Sequence, residues 1–587
     1  MVGSTRALSF RLEASHSMFP SRAALVYSLA KGIAYLGVFA FFAVSANAIP
    51  TVTVISPKAG ISAGSPVFYE AYATSPACSQ GIASMRIYTA DHVGPFTVKG
   101  AHLETFIKLS PGSYTTVVQA WDNCGGVGKT AVNLTVNANS GVTVFMPTVS
   151  PASWPVHIAA SAQNPACTAG INAIRIYTAD GVTPYTIKSN QLNSYINLVP
   201  GTYKLTVQAW DNCGNVYKSQ LSQPVTSSLD ASLYAVNLKP SAAADLYQFQ
   251  IASDGTLKNP NGNNPLPEYA AGSGADNLTV DPGGWFLYAS TINNIYGYQI
   301  NPANGNLTPM PGSPFPLNDV NNIVPPLITV DPSGNFLFAR YGGNEVGRAT
   351  TYRINRSSGA LTSTGYVIGT NWYTYTFDFS GQYLYAFDYG PSIDGWRFNP
   401  NNGSMTPLAG SPYPFLADIF LPSLASSGTY LYVGDAVSTG SGQVIGFNIN
   451  YSTGDLAEMP GSPFLPSQSD YYVFGVLTDW QSRFLWTSQQ QVSSSSHGIE
   501  AFVAGQGGAL TASPWFSELD PLYLGGWTED HSGKYVFTSY SVGNHNNGES
   551  PGVASWPISA NGDLQTQTQF ATTNAIGSIA VSRQNPN

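Results

Sequence analysis

Charged side chains are scarce in this chain, since Asp, Glu, Lys and Arg make up only 9% of its 587 residues and the formal net charge is −9. Nucleic-acid binding needs clustered Lys and Arg to neutralise phosphates, so this composition argues against DNA or RNA as a partner. It does not indicate disorder, because 43% of the residues are hydrophobic and 12% are aromatic. The many Gly, Pro and Tyr residues are instead typical of a turn-rich, all-β, extracellular protein.

The sequence also lacks the short motifs of several enzyme classes. It contains no H-E-x-x-H zinc motif, no Walker loop and no Rossmann fingerprint. It has only four Cys, with no C-x-x-C pair and no His nearby, so the cysteines do not predict a metal site. No resident cofactor or metal is therefore predicted from motifs.

The N-terminus is typical of an export signal. An uncharged apolar run, Ile33 to Val44, is followed by the small-residue cleavage pattern Ala46-Asn47-Ala48. The run is shorter than the ~20 residues that span a bilayer. We predict that residues 1–48 are a signal peptide, with translation starting at Met1 or Met18, and that the mature protein is secreted or periplasmic without a membrane span. The alternative is an uncleaved N-terminal anchor.

Residues 49–138 and 139–228 carry the same motifs in the same order. Each copy contains Pro-Ala-Cys, then Arg-Ile-Tyr-Thr-Ala-Asp, then Pro-Gly-x-Tyr, and ends with Gln-Ala-Trp-Asp-Asn-Cys-Gly. Units of about 90 residues with short alternating strands predict an immunoglobulin-like (Ig-like) β-sandwich, and they resemble bacterial Ig-like repeats. Trp121 and Trp210, one in each copy, are expected in the sandwich cores.

The four cysteines are expected to form two disulfides. The two cysteines of each copy are 46 residues apart in both copies. In an exported chain this equal spacing predicts the bonds Cys78–Cys124 and Cys167–Cys213.

Residues 229–587 repeat one phrase seven times, a Gly- or Ser-marked turn followed by an aromatic-rich strand. The strand cores recur every 47 to 54 residues, at Leu233-Tyr234, Leu287-Tyr288, Leu337-Phe338, Leu384-Tyr385, Leu431-Tyr432, Leu485-Trp486 and Val536-Phe537. A full repeat has four short strands, A to D, and radial four-strand units form a β-propeller. The first repeat lacks its own A strand, so we expect Ile576–Ser582 to supply it and close the ring. The predicted fold is all-β, with two Ig-like β-sandwich domains followed by a seven-bladed β-propeller.

The two ends of the predicted propeller differ. The A–B and C–D turns are tight and use residues that tolerate positive φ, and they define the turn face. The longer and dissimilar B–C and D–A connections define the loop face, which includes residues 341–350, 388–395, 435–443, 489–498 and 539–552. Since function concentrates in variable loops on a rigid framework, the loop face is the predicted functional surface.

The repeat phrase Leu-Thr-x-Asp-Pro-x-Gly-x-Phe-Leu-Tyr, with Gly-x-Leu-Thr-Pro and Gly-Ser-Pro-Phe, resembles the seven-bladed lactonase-like propeller family over residues 230–587. That family includes 6-phosphogluconolactonase-like and carboxymuconate-cyclase-like proteins. For active members the resemblance implies an Asn-Glu pair in a B–C loop, with His and Arg from neighbouring A strands. Asn344-Glu345 lies in the matching loop, so Glu345 would be a general acid or base, and Arg348 or Arg340 would stabilise a carboxylate or oxyanion.

The chain departs from the family where those partners are expected. The A strands that begin near Ala275 and Val324 carry no His. Further ligand contacts are predicted on the loop face, at Asn344, Asp388, Asp394, Trp396, Asp435 and His497. Asp388, Asp394 and Asp435 could alternatively gather around Ca²⁺, the one cofactor that the sequence leaves open.

Two functions remain open. The first is a secreted, non-catalytic propeller whose loop face binds a polysaccharide, a cell-wall component or a protein. The second is a lactonase-like hydrolase or a cycloisomerase acting through Glu345. The missing His partners and the predicted export favour the first, whereas the fold and the Asn-Glu pair favour the second.

Overall fold

The fold is given by a computed structural model, which describes residues 49–178, 185–239, 243–262, 265–317, 324–341, 348–369, 372–387, 392–415, 423–436, 442–492, 496–518, 522–542, 550–565 and 568–583. The predicted signal peptide, residues 1–48, lies outside these ranges. The described chain is built from β-strands and contains one short 3₁₀ helix, Gln506–Gly508, and no α-helix. Within these ranges no helix meets the length and hydropathy of a membrane span.

The first 90 described residues form two sheets, which we call the first sandwich. A three-stranded sheet has the order β1 (Thr51–Ser56), β3 (Val67–Thr74), β6 (His102–Ile107). A five-stranded sheet has the order β2 (Ile61–Ala63), β8 (Val127–Val136), β7 (Gly112–Asp122), β4 (Ile82–Tyr88), β5 (Phe96–Lys99). Alternation along β3 turns Tyr69 and Ala71 into the core between the sheets and Phe68 and Glu70 to the outer face.

The next 90 residues repeat this topology and form the second sandwich. Its three-stranded sheet has the order β14 (Gln191–Ile196), β11 (Val156–Gln163), β9 (Gly141–Met146). Its five-stranded sheet has the order β10 (Ala152–Ser153), β16 (Val216–Thr226), β15 (Gly201–Asp211), β12 (Ile171–Tyr177), β13 (Tyr185–Ile187). The shared strand order fits the duplication seen in the sequence.

Both predicted disulfides are confirmed. Cys78 is bonded to Cys124, and Cys167 is bonded to Cys213. The expectation for the two tryptophans of the repeated motif is wrong, because Trp121 and Trp210 are only half-buried. Strand alternation explains this, since in β7 the neighbouring Val118 and Ala120 face inward and leave Trp121 on the outer side.

Seven further sheets follow in the described chain. Their strands, from inside outward, are β47 (Ala575–Arg583), β17 (Asp230–Leu238), β18 (Ala243–Ile251), β19 (Leu257–Lys258) with β20 (Glu268–Ser273); β21 (Asn277–Val280), β22 (Phe286–Ser290), β23 (Asn294–Ile300), β24 (Leu307–Pro309) with β25 (Phe315–Pro316); β26 (Leu327–Val330), β27 (Phe336–Tyr341), β28 (Arg348–Ile354), β29 (Leu361–Gly369); β30 (Thr374–Phe377), β31 (Tyr383–Phe387), β32 (Ser392–Phe398), β33 (Met405–Pro407) with β34 (Tyr413–Pro414); β35 (Ser423–Ser427), β36 (Tyr430–Ala436), β37 (Gly442–Ile449), β38 (Leu456–Glu458); β39 (Tyr471–Thr478), β40 (Phe484–Gln491), β41 (His497–Ala504), β42 (Leu510–Glu518); and β43 (Leu522–Glu529), β44 (Tyr535–Val542), β45 (Gly552–Pro557), β46 (Thr568–Ala571).

The seven sheets form a closed ring, and we number them as blades one to seven in the order above. Each pair of consecutive blades shares one hydrophobic core, and blades seven and one share another that contains Phe537, Leu233 and Val581. The C-terminal β47 pairs antiparallel with β17, with Leu233 opposite Val581. The predicted closure of blade one by the last strand is therefore confirmed.

Aspartates shape most of the A–B turns on the turn face. In blade two, Asp281 accepts hydrogen bonds from the backbone N–H groups of Gly283 (3.0 Å), Trp285 (2.7 Å) and Phe286 (2.7 Å). Asp331 and Asp530 bind their own turns in the same way. These buried carboxylates hold rigid turns, against which other parts of the chain can pack.

Candidate functional site

Of the predicted catalytic residues, Arg340 and Arg348 are described, and both lie on blade three. Asn344 and Glu345 fall outside the described residues. Arg340 lies at the end of β27 opposite Ala349, whereas Arg348 begins β28 opposite Tyr341. Directly opposed residues share a face of the sheet, so Arg340 and Arg348 point to opposite faces. The two arginines therefore do not form one cationic pair.

Arg340 belongs to the contact between blades three and four. The side chains of Phe338 and Arg340 share a face, and Phe338 packs edge-to-face on Tyr375 with ring centroids 4.9 Å apart. Burial raises the pKa of Tyr375 strongly, while the Arg340 charge acts in the opposite direction. Arg348, in contrast, is exposed at the loop-face end of its strand.

Two predicted ligand contacts on blade four hold a buried tryptophan. The indole N–H of Trp372 donates to Asp394 Oδ2 at 3.0 Å. Trp396 packs edge-on against the same indole, with ring centroids 5.7 Å apart. Trp372 is only 1% exposed, so Asp394 and Trp396 support the packing between blades three and four. Asp388, which was predicted together with Asp394 and Asp435 as an alternative Ca²⁺ ligand, lies outside the described residues.

The remaining predicted residues are separated onto blades five and six. Asp435 is buried and accepts a hydrogen bond from Gln443 at 3.0 Å, its direct neighbour across β36 and β37. His497 begins β41 opposite Gln490. Sequence reasoning missed Glu500 on the same strand, a fully buried carboxylate that accepts from Gln489 Nε2 at 2.6 Å. The carboxylates on these blades are thus bound within their own blades.

A second region of interest lies on the turn face, where the two sandwiches pack on the propeller. Tyr195 N–H donates to the Ser333 carbonyl at 3.1 Å, and Asn335 Nδ2 donates to the Asn193 carbonyl at 3.0 Å. The Arg356 guanidinium, in the C–D turn of blade three, donates to Glu104 at 3.1 Å. This covered turn face was not predicted.

Tyr195 lies at the centre of this interface. It is 1% exposed, and its ring contacts the guanidinium groups of Arg356 (4.8 Å) and Arg583 (5.5 Å). The His157 imidazole stacks on it with centroids 4.6 Å apart. A Cβ at Gly283 would overlap the Tyr195 hydroxyl, so the A–B turn of blade two needs glycine at this point. The ring therefore joins the second sandwich to the turns of blades two and three.

Trp154 forms a second contact between the second sandwich and the ring. Its indole stacks on Trp480 with centroids 4.3 Å apart and an interplanar angle of 13°. It also lies 4.8 Å from His531. The guanidinium of Arg583, the last described residue of β47, donates to the Trp154 carbonyl at 3.1 Å. Blades six, seven and one are thereby joined to one tryptophan.

Buried charges collect on the outer face of the first sandwich. Glu70, His102 and Glu104 lie on β3 and β6, and His157 lies on β11 of the second sandwich. Burial alone would raise the pKa of Glu70, but the adjacent His157 and His102 outweigh burial and lower it. For His157 the directions are reversed, because burial alone would lower its pKa, but the charges of Glu70 and Glu104 outweigh burial and raise it.

A cavity of 410 Å³ lies between the second sandwich and blades three and four. Its volume is in the range of small-ligand sites. Two cationic side chains, Arg175 and Arg397, line the cavity. Both already donate hydrogen bonds to other groups of the protein. Arg175 Nε donates to Thr186 Oγ1 at 2.9 Å, and Arg397 Nη2 donates to the Ser452 carbonyl at 3.0 Å. The arginines therefore hold the cavity walls in place.

Comparison of the two sequence copies could have revealed the docking residues. The strands that become β6 and β14 align so that His102 corresponds to Gln191 and Glu104 to Asn193. At these outward-facing positions the copies differ, while their core positions remain apolar, as Leu103 and Leu192 do. Polar differences on an otherwise duplicated strand indicate surfaces that meet different neighbours.

Comparisons with known proteins give one family match over part of the chain and several similar solved structures. No curated protein matches the chain. Solved structures that match include a candidate 6-phosphogluconolactonase from Bacteroides uniformis (15% identity, TM-score 0.47, covering 60% of this chain and 100% of that one) and another from Bacteroides fragilis (16% identity, TM-score 0.45, covering 61% and 99%). Residues 226–373 match the model of the seven-bladed β-propeller lactonases. Over that stretch, which begins the ring of blades, the chain is thus similar to the lactonase β-propeller family.

Proposed function

We propose that the protein is a secreted, non-catalytic binding protein of the cell envelope, in which two Ig-like domains carry a lactonase-like propeller. Its partner is a polysaccharide, a cell-wall component or a protein, bound on the loop face. The observation that supports this most directly is the covered turn face, where Arg356 binds Glu104 and Tyr195 is buried. With that end occupied by the sandwiches, the loop face is the end that can meet a large partner.

The disulfides support the proposed location. Cys78–Cys124 and Cys167–Cys213 are both formed, and disulfides persist in oxidising compartments outside the cytosol. They are compatible with the export that the N-terminal sequence predicts.

The state of three described carboxylates on blades four to six supports binding over catalysis. Asp394 accepts from the Trp372 indole, Asp435 accepts from Gln443, and Glu500 accepts from Gln489. A general base must lie within hydrogen-bond reach of the proton that it abstracts from the substrate. These three carboxylates instead receive hydrogen bonds from neighbours that fix their positions.

The binding proposal is tested with the full mature chain on immobilised glycans, peptidoglycan and envelope proteins. Arg348 and Arg353 provide a matched pair, because both are exposed on β28, at its loop-face and turn-face ends respectively. We expect Arg348→Ala to weaken retention on the captured ligand and Arg353→Ala to leave it unchanged. Equal loss in both variants, or no retention on any of these surfaces, would contradict the proposal.

The second candidate is a lactonase-like hydrolase or a cycloisomerase. The family match favours it, because residues 226–373 include Arg340, Glu345 and Arg348. In hydrolysis Glu345 would take a proton from a water molecule as the water oxygen attacks the lactone carbonyl, and an arginine would stabilise the oxyanion. Collapse of this intermediate would break the ring C–O bond, and Glu345 would return the proton to the leaving oxygen. Turnover on a lactone panel that is lost in Glu345→Gln, with unchanged melting temperature, would establish this function in place of the first.

A further inference from the structure

Two carboxylates face each other in the interior of the protein. Glu70 on β3 and Glu104 on β6 are direct cross-strand partners on the outer face of the first sandwich. Both side chains are completely buried, beneath the second sandwich and the propeller. Like charges directly opposite each other destabilise a sheet, and burial strengthens their repulsion. The arrangement therefore requires positive charge close to both groups.

Part of that charge comes from outside the first sandwich, and it lies nearest to Oε1 of Glu104 and to Oε2 of Glu70. The Arg356 guanidinium lies 3.1 Å from Glu104 Oε1. Arg356 Nη2 also donates a longer hydrogen bond, of 3.4 Å, to Glu104 Oε2. His157 Nδ1 lies 3.2 Å from Glu70 Oε2, while its Nε2 bonds Asn193 Oδ1 at 2.6 Å. These contacts orient the two carboxylates as outer hydrogen-bonding partners orient metal ligands.

The other two oxygens converge on His102. Its Nε2 lies 3.8 Å from Glu70 Oε1 and 3.7 Å from Glu104 Oε2. All three donor atoms lie within 4.8 Å of one another. Ligands about 2.0–2.2 Å from a tetrahedral cation are about 3.3–3.6 Å apart. The two edges of this triangle that meet at His102 are therefore a few tenths of an ångström longer than coordination requires.

His102 supplies an independent indication. The imidazole is 2% exposed and stacks on Trp285 with ring centroids 3.8 Å apart. Among the described residues, neither its Nδ1 nor its Nε2 has a hydrogen-bond partner. A buried polar group without a partner is costly, and a cation at Nε2 would satisfy the atom that points toward the carboxylates.

We propose that Glu70, His102 and Glu104 bind a divalent first-row transition-metal cation, represented by Zn²⁺, which fixes the outer face of the first sandwich against its neighbours. One imidazole and two carboxylates form a donor set that suits Zn²⁺ or Mn²⁺. The burial of all three ligands makes this a structural site. The second sandwich lacks it, because the equivalents of Glu70, His102 and Glu104 are Ala159, Gln191 and Asn193.

The first test measures metal in the untagged mature protein. We expect about one equivalent of Zn²⁺ or Mn²⁺ per chain after gel filtration, because a buried structural site releases its ion slowly. Removal with a strong chelator should lower the melting temperature by several degrees, and Zn²⁺ alone should restore it while Ca²⁺ does not. Co²⁺ added to the stripped protein should give ligand-field absorption bands.

The second test compares two histidines of the same sandwich. His102→Gln should abolish the metal content and the effect of the chelator. His92→Gln should retain both, because His92 lies beside Asp91 on the surface, with its side chain 94% exposed. A protein that is isolated without metal, takes up neither Zn²⁺ nor Mn²⁺, and melts identically with and without chelator would overturn the proposal. So would metal content that depends on His92 and not on His102.

Discussion

Replacing Trp154 with alanine tests how the second sandwich is held to the propeller. The side chain is 9% exposed and reaches from the second sandwich into the ring, where it stacks on Trp480. Truncating a buried tryptophan costs ~3–5 kcal/mol in lost burial and cavity formation. The aromatic stack accounts for roughly 0.5–1.5 kcal/mol beyond burial. Because the ring contacts of Trp154 with Trp480 and His531 cross the interface, part of this cost falls on the coupling between the second sandwich and the propeller.

The assay is differential scanning calorimetry of the full mature chain. We expect the Trp154→Ala protein to unfold in two resolved transitions, the sandwiches melting at lower temperature than the propeller. Trp210→Ala is the matched control, because Trp210 is a half-buried tryptophan of the same sandwich whose ring packs against Arg175 at 5.3 Å. The control should lower the melting temperature without splitting the transition in two. A double-mutant cycle with Trp480→Ala should return a coupling of ~0.5–1.5 kcal/mol. An unsplit transition and zero coupling would refute the reasoning.

Three further predictions concern the ring, the disulfides and pH. Deleting residues 575–587 removes β47 from blade one, so the propeller should lose its cooperative melting transition, whereas an unchanged transition would show that closure is dispensable. Replacing both Cys78 and Cys124 with serine should destabilise the first sandwich by roughly 4 kcal/mol in urea titrations, because the bond closes a loop of 46 residues. Burial, reinforced by the neighbouring Asp479 carboxylate, raises the pKa of Glu529 well above its ordinary value. Its contribution to stability is therefore complete below the unfolded pKa of about 4.3 and is lost as pH rises toward the folded pKa. The melting temperature of Glu529→Gln should therefore rise relative to that of the parent protein as the pH increases from 4 to 8. A difference between the two melting temperatures that stays constant with pH would contradict this.

The propeller could be predicted because each blade is encoded locally. Strand cores such as Leu287-Tyr288 recur with turn residues at constant offsets, so that one repeat predicts the next. The missing first A strand and the surplus strand at Ile576–Ser582 are both visible in the sequence, and together they predict the closed ring. The disulfides could be predicted because the same cysteine spacing recurs in the two copies of the repeated domain.

The docking of the sandwiches could not be predicted from local pattern. Glu104 and Arg356 are 252 residues apart and meet only after both domains have formed. The tight turns around Asp281 and Asp331 gave no indication that another domain packs on them, because a turn motif does not encode its packing partner. Trp121 was misassigned because a large aromatic was given more weight than the alternation of its strand.

The predicted site was limited by a different cause. Sequence placed Arg340 and Arg348 near one loop, but the pairing register directs them to opposite faces of the sheet. A shift of one residue in the pairing register moves every side chain of the strand to the opposite face of the sheet. The register depends on pairing partners that the motif does not contain.

The position of β47 also determines when the molecule can be completed. At about 5–20 residues per second a ribosome needs roughly 17–67 s to pass from the end of β17 at Leu238 to the start of β47 at Ala575. Throughout that time β17 has no inner neighbour, because its partner strand has not yet been synthesised. Arg583, at the end of the same strand, donates to the Trp154 carbonyl. A nascent chain that stops before β47 thus lacks both the inner strand of blade one and a contact to the second sandwich, so that ring closure and this part of the docking are late steps in biogenesis.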